Sequence, residues 1–371
     1  MNSPLDNIPG QERVKTTLNN FLQSDSIPHA LLFTGAEGIG KVNTIIQFAK
    51  SLVINKNSND SEQALRFIDL LQEPYIKLIF PLPRGKNETD LSSPTEKLTS
   101  EELEFVREQI NIKAENPFHK ISIPKANSIK INSIRDIKRF LSMQYDELSY
   151  RYVIITDAHL MNDEAQNALL KSLEEPPERV IFFLTTPYAN RLRPTIISRC
   201  WKINFDPLKE NELVFILKKY FNIDEETALE AASFAMGSVQ TALSLINLDI
   251  RSLKEKTVSI LRYSFGRKFE SAFNELNSVV SENYSETYPI IVAMIITWIN
   301  DVQKHRLNIN QYYFNAYIET LEKFNTKFPK VDVSDLTSRL DKLSNLPRNN
   351  INPSILSANL IFELSSVVLS K

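Results

Sequence analysis

The chain has 371 residues, too many for one ordinary compact domain, and its 42% hydrophobic and 24% charged fractions are those of a water-soluble globular protein. Its 43 basic and 45 acidic residues give a net charge of −2, which excludes a uniformly basic nucleic-acid-binding surface but not a local basic patch. The single cysteine, Cys200, excludes an intramolecular disulfide and a cysteine-built zinc site, and it fits a reducing cytoplasm.

Residues 1–6 have neither a basic start nor an apolar core, so they do not read as a signal peptide. Residues 11–24 carry Val14, Leu18, Phe21 and Leu22 at helical spacing. Ala30-Leu31-Leu32-Phe33-Thr34 is a short apolar run of the kind that makes a buried strand. It leads into Gly35, Gly38 and Gly40, three of the chain's seven glycines, and then into a helical pattern over residues 41–54. A polar stretch at 55–61 reads as a loop, and residues 83–100 as an exposed or partly disordered excursion. Helices are expected at 101–112 and 132–144, a second buried strand at 152–155, and a helix carrying Ala165, Ala168, Leu169 and Leu173 that stops at Pro176-Pro177. Residues 180–185 form a third apolar strand. Beyond residue 208 only helical patterns follow, and the longest apolar run, 290–299, is too short to span a bilayer and reads as a buried helix. The expected architecture is an α/β domain with a parallel sheet over residues 1–207, a small helical domain over 208–248 and an all-helical domain over 249–371.

Two segments carry chemistry. Gly35-Ala36-Glu37-Gly38-Ile39-Gly40-Lys41-Val42 follows the P-loop pattern up to its last position. Glycines let backbone N–H groups wrap phosphates, the following helix contributes its positive end, and Lys41 would reach the outer phosphates. The last position normally gives magnesium a hydroxyl, and Val42 has none. At the end of the second strand, Thr156 stands where a P-loop ATPase places its metal-binding Asp. Asp157 stands where the catalytic Glu would be, one methylene shorter. Magnesium thus loses a contact on each side, and no metal is expected to be held.

With Gly10-Gln11-Glu12, residues 28–33, residues 167–177 (Asn-Ala-Leu-Leu-Lys-Ser-Leu-Glu-Glu-Pro-Pro) and Ser198-Arg199-Cys200, these segments in this order resemble clamp-loader subunits of the AAA+ class over the first 245 residues or so. The Thr156-Asp157-Ala158 strand end is similar to that of delta-prime subunits of bacterial DNA polymerase III, rather than of the gamma/tau motor subunits. The resemblance implies a lid at 208–248 and a collar at 249–371. It implies that Arg199 is an arginine finger for the adjacent motor subunit, that Thr185-Thr186 is the sensor-one region (Thr186 its site residue), and that residues 237–243 are the second-sensor helix, where Gln240 lies and the usual motor-subunit arginine is not evident. It also implies partners: motor (gamma/tau) and clamp-opening (delta) subunits and, through the complex, the sliding clamp and primer-template DNA, in the cytoplasm and away from membranes. Many bacterial relatives carry a zinc module after the P-loop helix; residues 55–130 contain no cysteine to build one, and lone His119 reads as structural.

The leading expectation is therefore a stator that does not hydrolyse ATP and requires no cofactor. The glycines and Lys41 leave open a weak, non-hydrolysed nucleotide occupancy. A gamma/tau-type motor is the alternative, supported by Lys41 and Asp157 and opposed by Val42 and Thr156. A small P-loop kinase would need the same magnesium ligands and leaves Ser198-Arg199-Cys200 without a role.

Overall fold

The computed structural model describes residues 3–24, 26–55, 61–143, 150–280, 284–344 and 351–367; most of the expected loop at 55–61 lies outside them. The chain divides into two compact units, Met1–Asn222 with Gly237–Gln240, and Ile223–Met236 with Thr241–Lys371.

The first unit is a five-stranded parallel sheet with helices. In chain order it runs α1 (Glu12–Ser24), β1 (Ala30–Thr34), α2 (Lys41–Asn55), α3 (Ser61–Asp69), β2 (Ile76–Ile79), α4 (Ser100–Glu115), α5 (Ile131–Ser142), β3 (Arg151–Ile155), α6 (Asp163–Glu174), β4 (Val180–Thr186), α7 (Pro194–Ile197), β5 (Trp201–Asn204) and α8 (Glu210–Phe221). The strands lie in the order β2-β3-β4-β1-β5, every pair parallel. The three expected strands are the three central ones, and β1 and β4 are buried along their whole length. Leu32, Val153, Phe182 and Leu184 from these strands join Ile134, Ile137 and Phe140 of α5 and Ala165, Leu169 and Leu173 of α6 in one core. Ends of β1, β3 and β4 converge at the carboxyl edge of the sheet, where open α/β sheets take their ligands.

β2 and β5, the two edges, were not expected from the sequence. Each has four residues, and each carries a lysine where a buried strand would be apolar, Lys77 in β2 and Lys202 in β5. A strand with one neighbour is only half buried, so it escapes the apolar-run criterion, and a charge there blunts edge-to-edge pairing. α8 makes contacts with the sheet unit: Phe118 packs against Tyr220 at 5.1 Å and Asn116 Nδ2 donates to the Tyr220 carbonyl at 3.0 Å.

Residues 83–99 lack regular structure and are largely exposed, but they are fastened to the unit at Glu88. Glu88 is buried, and its carboxylate accepts from the Gly85 N–H (2.8 Å), Lys130 Nζ and Asn132 Nδ2 (2.6 Å). Burial alone would raise its pKa, yet the bonds from Lys130, the Gly85 N–H and Asn132 hold it below the ordinary glutamate value. The loop is thus fastened to the start of α5 by an ion pair largely out of water. Glu88→Ala is expected to cost about 3 kcal/mol of stability by stranding Lys130 and Asn132, measured as a fall in the urea midpoint with unchanged slope.

The second unit is all-helical: α9 (Glu225–Phe234), α10 (Val239–Asn247, beginning in the first unit), α11 (Ile250–Phe265), α12 (Phe269–Val280), α13 (Tyr284–Arg306), α14 (Ile318–Lys327), α15 (Val333–Ser344) and α16 (Pro353–Ser366). Its core is α13, where Ile291, Val292, Met294, Ile295, Trp298 and Val302 are fully buried. Trp298 lies 5.3 Å from the Phe324 ring and 5.9 Å from Phe265. Asp301, also fully buried, accepts the backbone N–H groups of Tyr313 and Phe314 at 2.8 and 2.9 Å. Among the described residues no helix is long and apolar enough to cross a membrane.

Candidate functional site

The P-loop connects β1 to α2. Gly35, Gly38 and Gly40 all have positive φ, +143°, +71° and +92°, which explains why glycine is concentrated here. Close approach adds a second reason at all three. A Cβ on Gly35 would sit 2.8 Å from the Phe205 carbonyl oxygen, one on Gly38 2.7 Å from the Gln240 backbone nitrogen, and one on Gly40 3.2 Å from the Phe118 ring. Across from the loop, Thr156 and Asp157 follow β3, and Thr185 is in β4. Asp157 holds a left-handed backbone (φ +50°), a conformation that Asp tolerates better than most residues.

These elements enclose a pocket lined by Glu37, Gly38, Gly40, Lys41, Val42, Thr156, Asp157, Thr185 and Gln240 from the segments singled out in the sequence. Thr186, the expected sensor-one residue, is not in the lining; it is fully buried and its hydroxyl accepts the Tyr188 N–H at 2.9 Å, while Thr185 faces the pocket. Val42 presents no donor atom. Thr156 Oγ1 donates to the Ile79 carbonyl at 3.3 Å. Lys41 is curled back onto its own loop, donating to the carbonyls of Gly35 (2.8 Å) and Ala36 (2.5 Å). Burial lowers its pKa to about 8. Burial also raises that of Asp157, Glu37 adds to the effect, and Lys120, Lys41 and Lys113 oppose it.

The rest of the lining comes from a stretch that carried no motif: Lys113, Pro117, Phe118, His119, Lys120 and Ile121. Lys113, in the last turn of α4, is buried and donates to the carbonyls of Pro117 (2.7 Å) and His119 (2.5 Å); burial lowers its pKa to about 7. The segment is fastened to the rest of the site as well. Lys120 pairs with Glu37 at 2.7 Å, Gln240 Nε2 donates to the Phe118 carbonyl at 3.2 Å, and Ser238 Oγ donates to the Glu37 carbonyl at 2.9 Å. About 80 Å³ of space is left inside, against the roughly 300–1,000 Å³ of sites that hold a small molecule. Sequence reading had one available signal here, a lysine on the buried stripe of α4, and it is ambiguous because the long stem of a lysine can reach solvent from many positions. His119, expected to be structural, lies at 2.9 Å from Gln109 Oε1, and burial lowers its pKa.

Arg199 is not part of this pocket. It follows α7, a short helix that starts on Pro194 and is anchored to α6, where Gln166 Oε1 accepts the Arg193 N–H at 2.9 Å. Its guanidinium is partly exposed, ion-paired with Glu174 Oε1 at 2.7 Å and donating to the Thr195 carbonyl at 2.9 Å. The neighbouring thiol of Cys200 is pushed up to about 12 by burial, which leaves it unreactive. Burial takes His159 down to about 4, and its ring meets Tyr188 edge-on at 4.9 Å. Among the described residues no cluster of three or more His, Cys, Asp or Glu is placed to hold a metal ion.

The first unit thus holds a glycine-rich loop with its pocket and, apart from it, an arginine just after α7. A family model for the DNA polymerase III delta subunit matches residues 10–209, more than half of the chain. The chain belongs to the DNA polymerase III delta-subunit family. Curated relatives extend the likeness. The DNA polymerase III subunit tau of Bacillus subtilis is 30% identical over 247 residues, covering 65% of this chain and 37% of that protein. The subunit gamma of Buchnera aphidicola from Acyrthosiphon pisum is 24% identical over 93% of this chain and 86% of its own length. The subunit delta' of Escherichia coli is 33% identical over 138 residues, 37% of this chain and 41% of that protein. This chain thus spans well under half of the Bacillus tau subunit and most of the Buchnera gamma subunit.

Proposed function

We propose that this chain is a non-hydrolysing subunit of delta-prime type in a bacterial clamp loader, serving in DNA replication as a stator that completes a neighbouring motor subunit's ATP site with Arg199. The observation that carries this reading is the pocket closed from within. Lys41 is bonded to its own loop, the Lys113-held segment leans on Gly40, Val42 has no oxygen to give magnesium, and Thr156 offers in place of a carboxylate only a neutral hydroxyl that is bonded to the Ile79 carbonyl. A valine in place of the hydroxyl ligand and a neutral hydroxyl in place of the metal-binding carboxylate fit the metal–nucleotide pair poorly, so no hydrolytic step is assigned to this site. Phosphate held weakly and without metal is compatible with the glycines and both lysines.

In this reading residues 208–248 act as the lid and 249–371 as the collar of the hetero-oligomer. The partners are motor (gamma/tau) and clamp-opening (delta) subunits in the cytoplasm, with the sliding clamp and primer-template DNA met through the assembled complex. The alternative, an ATP-hydrolysing motor, is favoured by the 30% identity to a tau subunit and by the retained Lys41 and Asp157. The two differ in one measurement. Purified alone with magnesium and ATP, the chain is expected to release no phosphate above a Lys41→Ala control, and turnover on the order of 1 per second, within the ordinary enzyme range, would support the motor instead.

A further inference from the structure

Arginine fingers work by placing charge where it develops during phosphoryl transfer, so the conformation of the free guanidinium matters as much as its presence. Arg199 has a long side chain on the protein surface, and an unrestrained one would sample many rotamers before reaching a neighbour. Here it is held. Its backbone closes the turn after α7, with the Arg199 N–H donating to Ile196 O at 3.1 Å, and Ile196 itself is fully buried in the sheet core. One of its five N–H donors goes to Thr195 O and the guanidinium is ion-paired with Glu174; its remaining donors have no further acceptor among the described residues.

Glu174 is the last residue of α6, directly before Glu175-Pro176-Pro177. The same helix holds the other arginine of the segment, since Arg193 reaches Asn167 Oδ1 at 2.7 Å and Asp163 Oδ1 at 3.0 Å. Positions 163, 167 and 174 lie along one face of α6, separated by whole turns within about 40°. One helix face therefore carries the acceptors for both arginines.

We propose that Glu174 is a positioning residue for the finger: it holds the Arg199 guanidinium in place and leaves its unused donors for a neighbouring subunit's nucleotide. This rests on the assignment of Arg199 as a finger. The carboxylate and the Thr195 carbonyl fix the guanidinium plane from two sides, which removes rotamers in advance and so lowers the cost of reaching the transition state. The pair is about half exposed, with side chains 35% and 49% accessible, so it contributes little to folding and its loss leaves the unit intact.

The test uses the full chain assembled with its motor and clamp-opening subunits, with ATP turnover followed at saturating and limiting ATP. Glu174→Ala is expected to lower kcat about tenfold with KM unchanged, and Glu174→Gln, which keeps an acceptor oxygen, to recover most of it. Because Glu174 acts through Arg199, the double variant Arg199→Ala/Glu174→Ala is expected to be no slower than Arg199→Ala alone. A rate for Glu174→Ala equal to or above that of the unaltered chain, with Arg199→Ala slow, overturns the positioning role and leaves the finger standing. A double variant tenfold slower than Arg199→Ala overturns it as well, since Glu174 would then act elsewhere. Normal turnover by Arg199→Ala removes the finger, and the positioning role with it.

Discussion

On the proposed finger role, replacing Arg199 by alanine is expected to slow ATP hydrolysis at a neighbouring motor subunit's site by about a thousandfold, while the complex assembles as before. The magnitude follows from the job. An arginine supplied in trans stabilises charge spread over the transferring phosphoryl oxygens, and its fork of donors is worth 10³–10⁵ in rate where it has been removed. Assembly is expected to be spared because the side chain is about one-third exposed and its two bonds, to Glu174 and Thr195 O, are both within this unit. Arg199→Lys keeps the charge and loses the planar fork, so it is expected to restore only a small part of the rate. The measurement is single-turnover hydrolysis by the reconstituted complex, beside a size-exclusion profile. An unaltered rate with intact assembly rejects the finger.

What could be read from the sequence, and what could not, follows from how each residue announces itself. β1, β3 and β4 are buried on both faces and appear as uninterrupted apolar runs, so the sheet centre was legible. β2 and β5 lie at the edges, where Lys77 and Lys202 break the run. The P-loop was legible because three positive-φ positions demand glycine. Its closure was not. Lys113 and Gln240 act through the carbonyls of Pro117, His119 and Phe118, and backbone acceptors leave no mark in a side-chain sequence. Glu88 was misread for a related reason: a polar stretch looks solvated until its partners, Lys130 and Asn132, more than 40 residues away, are placed beside it.

Lys113 makes the stability of this chain depend on pH in a window where most proteins change little. In the folded chain burial lowers its pKa from 10.5 to about 7, whereas in the unfolded chain it titrates near 10.5. Between these values the unfolded chain binds more protons than the folded one, so stability rises as pH rises from 7 toward 10 and is constant, at its lower level, below 7. At about 1.4 kcal/mol per tenfold change in proton affinity, Lys113 accounts for a gain of roughly 3 kcal/mol between pH 7 and pH 9.5. Lys41, lowered to about 8 by burial, adds in the same direction. Lys113→Met keeps the stem and removes the titration. At pH 7 the two effects of this change oppose one another, since the Pro117 and His119 carbonyls lose their donor while a buried ammonium is no longer needed. The difference in slope is therefore the clean readout. Urea unfolding at the two pH values is expected to show the unaltered chain gaining about 3 kcal/mol more than the variant. Equal gains would mean that Lys113 stays charged in the folded chain, and hence that the segment over the P-loop is open to water rather than sealed against it.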